Sequence, residues 1–111
     1  MPLPPRHKIE STREKRWRCP SHLAWLRQFG CCVPNCDGMP IEAAHVRTGT
    51  DGGAGMKPSD RWAISLCSAH HREQHQVGET EFELRRGISM KALAEEFFAK
   101  SPHRRKYPRA A

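Results

Sequence analysis

Apolar residues recur along this chain with two different periods, and the switches between them predict its elements. Between Pro20 and Phe29, Leu23, Leu26 and Phe29 return at helical spacing with Trp25 alongside. This predicts a short helix that Ser21 would cap and Gly30 would end. From Pro40 to Arg47 the period drops to two: Ile41, Ala43, His45 and Arg47 share one face, and Glu42, Ala44 and Val46 the other, as in a strand. Trp62, Ile64 and Leu66 alternate against Ala63 and Ser65, which predicts a second strand pairing with the first. Residues 48 to 60 between them hold Gly49, Gly52, Gly53, Gly55 and Pro58 without apolar periodicity and read as a loop. So long a loop in a small domain is usually functional or mobile, and its Lys57 is a candidate phosphate contact. A helix is expected from Cys67 until Gly78 stops it. A mixed segment around Phe82 and Leu84 follows, then a helix from Ser89 with Leu93, Phe97 and Phe98 on its apolar side.

The helix from Cys67 carries the densest chemistry, the run Cys67-Ser68-Ala69-His70-His71-Arg72-Glu73-Gln74-His75. On a helix, Cys67 and His70 form an i,i+3 pair and His71 and His75 an i,i+4 pair. Neighbouring His70 and His71 diverge by about 100°, so the two pairs serve separate ions. Cys67 and His70 need two more soft ligands to close a structural zinc site, and the C-x4-C of Cys31 and Cys36 supplies them. The stretch Cys31 to Gly38 reads as a zinc knuckle in which Pro34 and Gly38 set the bend. Cys32 adjoins Cys31, and spacing alone does not choose between the two thiols. His71 and His75 form an open two-imidazole set of the kind a catalytic divalent cation uses.

Composition narrows the class. The chain has 111 residues, of which 37% are hydrophobic and 7% aromatic, enough for one small domain with a modest core that a metal would brace. A formal net charge of +7 and a pI near 9.6 favour a polyanionic partner. No apolar run approaches a membrane span, and the basic amino-terminal segment lacks a signal-peptide core, so a cytoplasmic location is expected. In that reducing setting five cysteines read as metal ligands and spare thiols, with Cys19 a structural or free thiol. The expected organisation is a basic flexible arm over residues 1–18, a zinc-stapled domain over 19–100 and a basic tail over 101–111.

Strand, glycine-rich loop, strand and helix, with a histidine on the first strand and two on the helix, resemble the HNH endonuclease family and its ββα-metal fold. The residues that carry the likeness are Ala44-His45-Val46-Arg47, Gly52-Gly53, Lys57-Pro58, Asp60, Leu66-Cys67, His70-His71 and His75. They are most similar to HNH proteins of phages and prophages. The resemblance spans Cys31 to His75 and implies an α+β fold with a ββα-metal (HNH) core, a zinc knuckle, flanking helices and basic tails. It implies an endonuclease that hydrolyses DNA phosphodiester bonds, with His45 as general base and His71 and His75 holding a catalytic divalent cation such as Mg2+, Mn2+ or Zn2+. Cys31, Cys36, Cys67 and His70 would hold structural Zn2+, and Arg47, Lys57 and Arg72 are candidates for nucleic-acid contacts. Two positions depart from the family pattern. Ala44 stands where many members carry a metal ligand, and no asparagine opens the second strand, which leaves Asp60 as the nearest residue to orient His45. The same residues also fit a non-catalytic zinc-finger DNA-binding module, or a protein-interaction adaptor whose charge serves only solubility.

Overall fold

Alternation in both strands lets them pair antiparallel in a two-stranded sheet, β1 (Ile41–His45) with β2 (Ala63–Cys67). The register sets Ile41 opposite Cys67, Ala44 opposite Ile64 and His45 opposite Ala63. The computed structural model describes residues 16–52 and 56–108, together with Leu3. Helix α1 (Pro20–Leu26) precedes the sheet, while α2 (Ser68–Val77), α3 (Glu79–Arg86), α4 (Met90–Lys100) and a 3-10 turn at Arg104–Lys106 follow it. The architecture is a small α+β domain. No helix among the described residues is long and apolar enough to cross a membrane.

One sheet face, carrying Ala44, Val46, Ile64 and Leu66, joins Val33, Phe82, Met90 and Ala94 in the core. This is the Glu42, Ala44, Val46 face; alternation separates the two faces, and packing decides that this one turns inward at positions 44 and 46. All five β2 residues are buried, because α1, α2 and α4 all pack against that strand.

The first helix differs from expectation at both ends. Its N-cap is Cys19, Pro20 occupies the first helical position and Ser21 lies inside the helix, where it caps nothing. Helical geometry ends at Leu26 and continues only as turns, Gln28 N–H to Trp25 O at 3.1 Å and Phe29 N–H to Leu26 O at 3.1 Å. Helix α3 is the element that apolar periodicity misses. Phe82 is fully buried while Leu84 is 75% exposed, so no apolar stripe marks it. Charge placement supports it instead: Glu79 and Glu81 sit in the first turn, and Arg85 and Arg86 in the last. Gly78 (φ +85°) joins α2 to α3 without a break, a backbone conformation that side chains disfavour.

Both expected tails reach less far than their composition suggests. Residues 1–15 of the expected arm, apart from Leu3, and residues 109–111 of the expected tail lie outside the described residues. Trp17, however, stacks on Phe98 (centroids 5.8 Å apart) and meets the edge of Tyr107 (5.4 Å), and its Nε1 donates to Lys106 O at 3.1 Å. Arg61 lies over the Phe98 and Tyr107 rings at 4.3 and 5.0 Å. Arg16 to Arg18 and Ser101 to Pro108 thus make contacts across the boundaries drawn at 19 and 100. Aromatic contacts between distant residues decide this, and local charge content does not reveal them.

Phe82 and Leu84 separate the buried from the exposed face of α3. Phe82→Ala is expected to cost about 3–5 kcal/mol in urea denaturation, and Leu84→Ala no more than about 0.5 kcal/mol.

Candidate functional site

The end of β2 is also the start of α2, and Cys67 occupies the joint. Its side chain caps α2 by accepting the His70 backbone N–H at 3.5 Å. The knuckle comes up against it through Asn35, held in the left-handed region (φ +63°), and through Gly38. A Cβ at Gly38 would lie 3.0 Å from Cys67 Sγ, so any side chain there would press on that sulfur, and glycine lets the two segments approach this closely without displacement.

Cys31, Cys36, Cys67 and His70 consequently form one cluster, their ligand atoms all within 4.8 Å of one another. His70 Nδ1 lies 3.5, 3.4 and 3.2 Å from the sulfurs of Cys31, Cys36 and Cys67, and Cys36 Sγ is 3.9 Å from Cys67 Sγ. A zinc tetrahedron has S–S edges of about 3.8 Å and S–N edges of about 3.6 Å, so the donor set fits such an ion in type and in spacing. Cys32 turns elsewhere, with its N–H donating to Ser65 O at 2.9 Å and its sulfur 3.5 Å from Ser65 Oγ. That resolves the choice between the adjacent thiols in favour of Cys31. Burial pushes the Cys31 thiol up to about 11. Burial also acts upward on Cys67, but the N–H of His70, the thiols of Cys36 and Cys31 and the N–H of Ala69 outweigh it, and its pKa falls.

His45, at the end of β1, is held by a buried carboxylate. Its Nε2 lies 2.9 Å from Oδ1 of Asp60, a residue only 2% exposed. Burial alone would raise the Asp60 pKa. The bond from His45, the Cys19 N–H (2.7 Å to Oδ2) and the charges of His45 and Arg18 more than reverse this, so Asp60 titrates below the usual carboxylate range. A carboxylate at that position accepts from Nε2–H and leaves Nδ1 of His45 as the nitrogen able to take a proton.

A cleft of about 840 Å3 runs past this imidazole, lined also by Leu23 of α1 and Arg27 just after it, Glu42 and Ala43 of β1, and His71 and His75 of α2. The Nε2 atoms of His71 and His75 face each other at 3.2 Å, a spacing suited to adjacent ligands of one ion. Glu42 Oε1 lies 2.7 Å from Nδ1 of His71, which fixes that ring with Nε2 turned to its neighbour. Among the described residues these two imidazoles gather no third ligand at comparable range.

Of the expected nucleic-acid contacts, Arg47 and Lys57 line the cleft. Arg72 is exposed on α2 and is not among the lining residues. Three further residues escape sequence reasoning. Glu42 gave no signal beyond alternation. Gln74 donates to His45 O at 3.1 Å, tying α2 to the strand end, and Glu79 accepts the N–H groups of Arg47 and Thr48, both at 2.8 Å. They satisfy the open edge of a two-stranded sheet where no third strand is present among the described residues.

The profile of the family described as "Protein of unknown function (DUF968)" matches residues 2–101, and the chain belongs to that family. It is 31% identical over 75 residues to a protein of Escherichia coli (strain K12) named "Uncharacterized protein YdfU". The match covers 67% of this chain and 21% of that protein, so the chain spans about a fifth of its relative's length. No solved structure matches.

Elemental analysis of the purified chain is expected to find zinc at the thiolate cluster. Cys36→Ser and Cys67→Ser should lose it and unfold at lower urea, since structural zinc contributes about 10–16 kcal/mol in small zinc domains. Cys32→Ser should keep it. Asp60 has a lowered folded-state pKa, so its network stabilises the fold above about pH 4 and is lost as pH falls through the folded value. Urea midpoints should therefore drop below about pH 4, and less so in Asp60→Asn.

Proposed function

We propose that this DUF968 member is a metal-dependent endonuclease of the HNH type, hydrolysing phosphodiester bonds in DNA within the cleft between α1 and α2. The observation that carries the reading is convergence. A β-β-α succession brings a carboxylate-oriented histidine and an adjacent imidazole pair to one basic-walled cleft, beside a Cys3His cluster on the same helix. In this reading β1, β2 and α2 are the ββα-metal core, and zinc at Cys31, Cys36, Cys67 and His70 sets the angle between sheet and helix.

His45 acts as general base. Asp60 holds its Nε2–H, so Nδ1 receives the proton from the attacking water and Asp60 stabilises the imidazolium that results. His71 and His75 would hold the divalent cation, with Glu42 keeping His71 in the ligating tautomer. That cation would stabilise charge developing on the phosphate and on the leaving oxygen. Ala44, buried opposite Ile64, offers no ligand at the position before the base, so water and phosphate oxygens would have to complete the coordination. Arg47 and Lys57 on the cleft wall offer positive charge to the DNA backbone.

Plasmid nicking with Mg2+, Mn2+ or Zn2+ tests the proposal. His45→Ala should lower cleavage by about 100-fold to 10,000-fold, with zinc content and fold retained. Asp60→Ala should lower it by about 10-fold to 100-fold. Nicking by His45→Ala at the parent rate would remove His45 as the base. A parent chain that binds DNA but never nicks it would instead leave a non-catalytic zinc module.

A further inference from the structure

The carboxy-terminal basic residues are placed, and their placement continues the cleft. From the cleft wall at Lys57 and Pro58 the neighbouring surface is Arg18, whose guanidinium donates to the Lys57 carbonyl at 3.0 Å, to the Pro58 carbonyl, and to Asp60 Oδ1 at 3.3 Å. The next residue along is Trp17, its N–H 3.3 Å from Ser59 Oγ and its carbonyl accepting the Asp60 N–H at 2.8 Å. Trp17 in turn grips the far end of the chain, through Lys106 O and the rings of Phe98 and Tyr107. Arg104, Arg105 and Lys106 form a 3-10 turn at that grip and are all exposed.

We propose that Lys57, Arg18 and the Arg104–Lys106 turn form one continuous track that holds the phosphate backbone of duplex DNA where it leaves the cleft. The inference deepens the nuclease reading, on which its choice of partner rests. Charge complementarity supports it. The five side chains are cationic and exposed; of the nearby carboxylates, Asp60 is buried and shared between Arg18 and His45, and Asp51 is bound to Ser59 and lies 3.9 Å from Arg16. Ordering supports it too. Fixing three basic residues costs conformational entropy that charge for solubility alone does not require, and the Trp17 anchor is what holds them in place. A placed array also gathers phosphates already spaced along a duplex, and each neutralised phosphate releases counterions.

The test measures affinity of the full chain for a duplex oligonucleotide at rising salt, in a His45→Ala background so that binding is read without cleavage. Neutralising the turn (Arg104→Gln, Arg105→Gln, Lys106→Gln) should make the slope of log K against log salt shallower by about 2 to 3, since each phosphate that the turn neutralises adds about 0.9 to it. A control that neutralises exposed cations away from the track (Arg85→Gln, Lys91→Gln), on α3 and α4, should leave the slope near the parent's. Zinc content and urea midpoint confirm that both variants fold. An unchanged slope in the turn variant, or equal changes in both variants, overturns the track while leaving the nuclease reading intact. A shallower slope in the turn variant alone, with no nicking by the chain carrying His45, upholds the track and removes the nuclease. A chain that does not bind the duplex at all removes both.

Discussion

Three roles meet at Cys67, and the geometry of the domain follows from their coincidence. It is the last residue of β2, the cap of α2 and one corner of the Cys3His cluster. A small chain with a modest apolar core has little surface to bury when it fixes a helix against a two-stranded sheet. Four ligand atoms drawn from the knuckle, the strand end and the first helical turn converge where a bound metal would supply a geometric constraint that dispersion contacts alone supply weakly. The close approach of Gly38 shows how tightly that constraint is drawn. Because His71 and His75 follow on the same helix, the cluster that orients the helix also orients the imidazole pair.

A second constraint lies at the opposite end of the strands. Asp60 is buried among His45, Arg18 and the Cys19 N–H, with its own N–H committed to Trp17 O. A buried carboxylate without such partners would take up a proton; here the partners outweigh burial and the charge is retained. The position of the His45 ring therefore depends on both ends of the chain, because the carboxy-terminal turn clasps the same Trp17 that anchors Asp60. Gln74, from α2, completes the hold at the His45 carbonyl, and Glu79, from α3, at the N–H groups of Arg47 and Thr48 just beyond the strand. The strand end is held from two sides, and the cleft opens between them.

Much of this architecture is written in short-range patterns. Alternation over 41–47 and 62–66 specified both strands; the Cys and His spacings specified the cluster up to the choice between Cys31 and Cys32, because ligand chemistry admits few residue types. The stop at Gly78 and the start at Ser89 were legible for the same reason, each being a local backbone requirement. What alternation and spacing could not convey was α3, whose single buried phenylalanine leaves no periodic trace, and the cap of α1, where Cys19 rather than Ser21 stands at the boundary.

The tertiary structure alone decided matters that turn on contacts between residues far apart in sequence. It separated Cys31 from Cys32 by giving the second thiol to Ser65, and it set Glu42 on His71. It also folded the basic segments around Trp17 and Tyr107 into the body, through their contacts with Phe98 and with each other. By itself the sequence determined both strands, most of the helices and the chemistry each could bear, since periodicity and ligand type are properties of neighbours along the chain. Which of those groups face one another depends on how helices and strands pack in three dimensions, and no local pattern encodes that distance.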